Sequence, residues 1–413
     1  MSRFIFIVSI LSALVLPFRA RAADEKSVYD PESFTISYWC GPPGKFNTLE
    51  RYQEIKDANF TTAFPPSNGN SAAEAKKMLD FCQQVGLKAI ISDTRMVYSI
   101  GNNEKSRAGL DAMIKEFSSH PALLGYHIVD EPGAGAYPGL AEVVAYLKQI
   151  DPKHVSYINL LPTYAGPMGV LGTKTYEEYV RQFADTVKPF VISYDHYHFI
   201  NEADRKDFFE NLSTVRKVSL ETKIPFWNIV LATQLGSYVH VTEPQLRFNA
   251  MQTLAFGANG LLWFTYWMPV EIPVADGWKH SLINADGSRD PHYDMVKAIN
   301  ADLKAIGDVL AKAKSTAVFH HGPETTVTAD HPTITATEGM LTIGMFEDRE
   351  KKTLALVTNR DFNAAVKTAV KVKPAGANVE RFDPAKKTWS TANNSDAGVA
   401  LDIPAGGGVL LRW

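Results

Sequence analysis

Eight apolar, β-branched runs alternate with helix-forming stretches between Phe34 and Ala313, and this alternation predicts a (β/α)8 TIM barrel. The runs are apolar along nearly their whole length, as expected for parallel strands buried on both faces. The span of about 280 residues suits eight such units. An open, doubly wound sheet is the runner-up, but no Gly-x-Gly-x-x-Gly follows the first run to support it.

Taken in order, the strands are expected at Phe34–Tyr38, Phe60–Phe64, Leu87–Ser92, Leu123–Asp130, Val155–Leu160, Phe190–Asp195, Phe226–Leu231 and Gly260–Thr265. Spaced apolar residues predict helices at Ala72–Val85, Tyr137–Ile150, Tyr176–Val187, Asp204–Leu220 and Glu243–Phe256. The texture changes after Ala313. Short β-rich runs at Thr316–His320, Thr333–Thr337, Met340–Phe346, Thr353–Thr358, Thr368–Val372 and Gly408–Trp413 are separated by turn-forming clusters such as Asn393-Asn-Ser-Asp396. They predict a small antiparallel β-sandwich. The expected layout is a leader at 1–22, the barrel at 23–313 and the β domain at 314–413.

The leader reading rests on a basic residue, Arg3, an apolar run from Phe4 to Pro17, and a small-x-small site at Ala20-Arg21-Ala22. A membrane anchor would need about 20 apolar residues, more than this run supplies. The mature chain is therefore expected to start near Ala23 and to be exported, to the periplasm or the medium, with no membrane span. A net charge of -3 over 413 residues, with no long basic run, argues against nucleic acid as a partner. Cys40 and Cys82 are too few for a disulfide scaffold. Cys82 falls in an amphipathic helix and reads as a buried thiol, ahead of a Cys40–Cys82 bridge.

Polar and aromatic residues gather at the expected strand ends, which a barrel brings to one rim. They are Tyr38 and Trp39 after strand one, Asp93, Thr94 and Arg95 after strand three, and Asp130 and Glu131 after strand four. Tyr164 follows strand five, Tyr194, Asp195, His196, Tyr197 and His198 close strand six, Gln234 follows strand seven, and Trp263, Tyr266 and Trp267 belong to strand eight. Aromatic faces take the C–H face of a pyranose and carboxylates handle its hydroxyls and glycosidic oxygen, so this rim points to a sugar site. Each member also has a plainer reading. Trp39 and Trp263 can be packing, Asp130 can cap the following helix or pair with Arg95, and the imidazoles can be satisfied loop residues. A zinc site from Asp195, His196 and His198 is disfavoured, because successive residues point in different directions and no further ligand motif joins them. No cofactor or metal is expected. Glu131 stands apart: a Glu-Pro pair ending a buried strand has little structural purpose, and catalysis is the favoured reading for it.

On these residues the stretch from Phe34 to Ala313 resembles the (β/α)8 glycoside hydrolases. In clan A of that group the acid/base glutamate ends strand four after an asparagine; here Glu131 matches and Asp130 replaces the asparagine. The clan's nucleophilic glutamate at strand seven has no counterpart in Asn228-Ile-Val-Leu-Ala-Thr-Gln234. The acidic pair at strand four, Tyr194-Asp195 and Trp263 are similar to features of chitinase-like and hexosaminidase-like barrels, although the chitinase run of spaced aspartates is replaced by His127, Ile128 and Val129.

The resemblance implies a secreted glycosidase acting on a polysaccharide or derived oligosaccharide. Glu131 is then the general acid, its pKa raised by apolar surroundings and by Asp130. Asp195 is the favoured second carboxylate, as nucleophile or base, with Asp93 and Glu271 in reserve. A separation of about 5–5.5 Å between the two carboxyls predicts retention, and about 6.5–9.5 Å inversion. Tyr38, Trp39, Asp93, Tyr194, His196, Tyr197, His198, Gln234, Tyr266 and Trp267 are expected to contact substrate. The alternatives are a substrate-assisted N-acetylhexosaminidase, with Asp130 orienting the acetamido group, a carbohydrate-binding barrel without turnover, and a lyase or metal-dependent hydrolase.

Overall fold

The computed structural model describes residues 27–67, 69, 71–201, 203–274, 276–322 and 333–413. The expected leader and its cleavage site lie outside these residues. Eight parallel strands form one sheet: β1 (Thr35–Tyr38), β2 (Thr62–Ala63), β3 (Lys88–Ile91), β4 (Leu123–Asp130), β5 (Val155–Leu160), β6 (Ile192–Asp195), β7 (Phe226–Leu231) and β8 (Gly260–Phe264). Their spatial order is β1-β8-β7-β6-β5-β4-β3-β2. The seam between β1 and β2 is bridged by Thr61, whose backbone N–H donates to the Ile36 carbonyl and whose hydroxyl accepts from Ile36 N–H, both at 2.9 Å. The sheet is therefore a nearly closed barrel.

Eight helices wrap it: α1 (Leu49–Asp57), α2 (Ala72–Val85), α3 (Glu104–Phe117), α4 (Tyr137–Ile150), α5 (Tyr176–Val187), α6 (Phe208–Thr222), α7 (Glu243–Ala255) and α8 (Pro291–Leu310). Their ends follow local chemistry. Ser71, Asn103 and Asp290 cap α2, α3 and α8 with side-chain oxygens, and Thr175 with Glu178 forms a capping box on α5. Both cysteines are buried free thiols. No helix among the described residues is long and apolar enough to cross a membrane.

The C-terminal part is two antiparallel sheets. Six strands (Lys314–His321, Leu341–Glu347, Thr353–Asn359, Gly408–Arg412, Glu380–Asp383 and Thr388–Thr391) face four (Ile334–Ala336, Val366–Val372, Gly398–Ile403 and Asn394–Ser395). The strands from Glu380 to Ile403 were not expected from the sequence, since charged and small residues interrupt their apolar alternation. Side-chain alternation gives the six-stranded sheet two jobs. Ala355 and Val357 enter the sandwich core, while Leu354 and Leu356 join the core of the barrel. Helix α7 lies between barrel and sheet and is buried from Leu246 to Ala255 apart from Arg247. Gly344 is required at this contact, because a Cβ there would stand 2.1 Å from the Ala255 carbonyl oxygen.

Candidate active site

Strand β4 carries the site, and its last turn of backbone is irregular. The ladder to β5 shifts register between His127 and Val129, a bulge that re-aims the residues beyond it. Asp130 ends the strand, as Pro132 requires. Glu131 takes a left-handed backbone with φ of 49°, a strained conformation for a residue other than glycine. It is held there by its N–H bond to the Asn159 carbonyl at 2.8 Å and by Pro132, whose carbonyl accepts from Tyr179 at 2.7 Å.

Asp130, Glu131 and Asp195 come together at the mouth of the barrel, on the floor of its cleft. Asp130 and Glu131 are open to solvent although protein surrounds them, whereas Asp195 is only 2% exposed. The Glu131 and Asp195 carboxyls interact directly, side chain to side chain. Two carboxylates in contact share a proton. Burial raises the pKa of Asp195 well above the usual range, with the Glu131 and Asp130 charges adding to it. Glu131 is also raised, by burial, and its contact with Asp195 opposes the rise. Both members are thus favoured in the protonated form, and the pair retains a proton to higher pH than a free carboxyl would. Asp130 is pushed up to about 7, first by burial and then by the Glu131 charge. Like-charge repulsion between the neighbours thus acts on Asp130, where the sequence suggested Glu131.

Asn159, on β5, ties the cluster together. Its amide nitrogen donates to Asp195 Oδ1 at 2.9 Å and to Asp130 Oδ1 at 3.1 Å. Its carbonyl oxygen accepts from Ser193 Oγ at 3.2 Å, and Ser193 meets the Tyr157 hydroxyl at 2.8 Å. Sequence reading passed over Asn159. Its signal was an amide at an inward position of a fully buried strand.

A cavity of about 520 Å³ opens beside Asp130, walled by Trp39, Cys40, Phe64, Asp93, His127 and Tyr98, among others. Trp39 stacks on Phe64 at 4.5 Å and meets the His127 ring edge-on at 5.4 Å. His127 Nδ1 lies 3.2 Å from Ser92 Oγ, and its Nε2 has no hydrogen-bond partner. Burial lowers the His127 pKa to about 4. Glu271 touches Ser67 at the edge of the same cavity. His127 and Phe64 were also missed as lining residues.

The remaining expected residues divide by strand parity. Asp195 faces the barrel interior, so its neighbour Tyr194 faces the helices, buried near Tyr176 of α5. Tyr38 faces outward too, against Phe60 and Tyr266, and Tyr266 shares that buried cluster. Trp263 points to α8 and donates to Asn300 at 2.8 Å. Trp267 packs on Phe46 and under Arg51. Asp93 lines the cavity but is paired with Arg95 at 2.6 Å, and Arg95 also meets Glu116 at 2.8 Å rather than Asp130. Helix α4 starts without a side-chain cap, so Asp130 has no capping role.

Past β6, Tyr197 stacks on Phe264 at 4.7 Å, and Tyr164, beneath Arg205 at 3.7 Å, lies within electrostatic reach of Asp195. His196 Nε2 meets Asp207 at 3.1 Å, while His198 is packed among Phe199, Phe208 and Phe248. The two imidazoles and Asp195 do not converge, and no cluster among the described residues is suited to a metal ion. Gln234 is half-buried in a short ladder, Gln234–Leu235 with Trp278–Lys279.

The fold has solved counterparts. A family 39 glycoside hydrolase from Bacteroides cellulosilyticus WH2 superposes with a TM-score of 0.55 at 12% identity, over 93% of this chain and 82% of that one. Gan42B, a family 42 β-galactosidase, gives 0.57 at 8% identity, over 92% and 98%. A β-galactosidase from Marinomonas ef1 gives 0.50 at 11%, over 68% and 62%. The likeness is one of fold. No protein-family model matches the chain, and no curated protein does.

Proposed function

We propose that this protein is a glycoside hydrolase in which Glu131 delivers a proton to the glycosidic oxygen. The observation that carries the reading is the strained, solvent-reachable Glu131 at the end of β4, in contact with the buried Asp195 carboxyl. Glu131 and Asp195 hold a proton between them, and Glu131, the member that solvent reaches, presents it to the leaving group. Asp130 is the second carboxylate. It faces the cavity, whereas Asp195 is covered. From the cavity wall Asp130 can act as base toward water or orient a nucleophile. That the fold's solved neighbours are glycoside hydrolases supports the class and leaves sugar and linkage open to experiment. The leader-like N-terminus supports action outside the cytoplasm on a polysaccharide or its fragments.

A second reading has its own support. β7 runs into Leu231, Ala232 and Thr233 with no carboxylate, and the two accessible acids of the floor are sequence neighbours. That arrangement suits a substrate whose 2-acetamido group is its own nucleophile, oriented by Asp130. Purified protein tested against a polysaccharide and oligosaccharide panel, with NMR of the first-formed anomer, tests the reading. Hydrolysis lost in Glu131→Gln is expected; binding without release of reducing ends from any member overturns it.

A further inference from the structure

We infer that the cleft takes a sugar without an acidic group, and rejects uronates and other anionic sugars. The inference builds on the glycosidase reading for the kind of ligand, and goes beyond it in charge class. It begins with what the three carboxylates lack. Asp130, Glu131 and Asp195 interact with one another and with Asn159, and among the described residues no lysine, arginine or histidine is hydrogen-bonded or ion-paired to them. Among the described residues, no lysine or arginine lines the cavity. Arg95, behind Asp93, is held by Asp93 and Glu116, Arg51 by Glu54, and Arg205, past β6, lies on the Tyr164 ring and donates to the Tyr197 carbonyl. Glu271 adds a further acid at the rim through its contact with Ser67.

The remaining wall suits an uncharged ring. Trp39 offers an aromatic face, and a pyranose C–H face packs there without a charge partner. The His127 ring in the wall is neutral above about pH 4 and brings no positive charge to a carboxylate. A site that selects an acidic sugar places a cation, usually a forked arginine, against the carboxylate. Here the same acid would meet fixed negative charge. One like charge about 5 Å away, at an effective dielectric of about 20, costs on the order of 100-fold in binding.

The test compares 4-nitrophenyl glycosides of glucose, galactose, mannose, glucosamine and N-acetylglucosamine with those of glucuronic and galacturonic acid. It is run on the full mature chain at low salt and at a pH above the Asp130 midpoint of about 7. Turnover is measured beside equilibrium binding followed by tryptophan fluorescence. Each uronate is expected at least about 100-fold below its neutral counterpart, with the binding gap narrowing in Asp130→Asn and at high salt. Hydrolysis of a uronate as fast as the neutral sugar overturns the inference and leaves the glycosidase reading standing. Selective binding of neutral or amino sugars without turnover does the reverse. No binding of any member overturns both.

Discussion

The side-chain amide of Asn159 donates to Asp195 at 2.9 Å, and the same nitrogen reaches Asp130. One donor group therefore stabilises the charged forms of two acids that burial would otherwise hold protonated. Asn159→Ala should raise the pKa of both, moving the acidic limb of the pH–rate profile to higher pH. A loss of about 10- to 100-fold in kcat is expected with little change in KM. A profile that keeps its limb while activity falls would assign Asn159 a packing role.

Glu131→Gln should lower turnover by about 10²–10⁴ while fold and sugar binding persist, since glutamine keeps the shape but donates no acidic proton. Dinitrophenyl glycosides, whose leaving group needs little protonation, should lose much less. Equal losses on natural and activated substrates would remove the acid role.

The acidic cluster should also govern stability. Asp130 is raised from 3.8 to about 7 in the folded chain, so between those values the folded state binds more protons than the unfolded one. Its contribution is fully present below about pH 4 and is lost as pH rises through about 7. Glu131 and Asp195 shift in the same direction. The melting temperature should fall from pH 5 to pH 8, and Asp130→Asn should flatten that slope. A slope unchanged in the variant would place the pH dependence elsewhere.

Trp39→Ala should raise KM about tenfold on a good substrate and leave kcat within a few-fold, because it removes a binding face and touches no reacting atom. Kinetics on a purified variant with an unchanged far-ultraviolet spectrum provide the check. A fall confined to kcat would place Trp39 in the chemistry itself.

The β domain is expected to support the barrel and to supply no catalytic group. Asp348 accepts turn N–H bonds from Glu350 and Lys352 in an exposed hairpin, so Asp348→Ala should leave turnover near wild type. Gly344→Val, which drives a side chain into the α7 backbone, should lower the melting temperature by on the order of 5 °C or more. A large kinetic defect in folded Asp348→Ala would move the site out of the barrel.

What could be read along the chain is what local physics controls. β4, β5 and β7 match the expected bounds residue for residue, because strands buried on both faces are written as continuous apolar runs. Glu131 stood out for a local reason as well: a proline stops the ladder one residue later. The strands between Glu380 and Ile403 escaped because their partners, not their own composition, make them strands. Within the site, parity decided more than residue type. Tyr194 and Asp195 looked equally available, yet one faces α5 and the other the floor of the cleft, since neighbouring side chains of a strand leave opposite faces. The contact between Glu131 and Asp195 and the amide of Asn159 spanning two acids join residues from β4, β5 and β6. The sequence supplied the order of the strands and the acid at the mouth. Only closure of the barrel set which carboxyl is covered and which is open, because burial and charge–charge distance exist only once strands far apart in sequence share one interior.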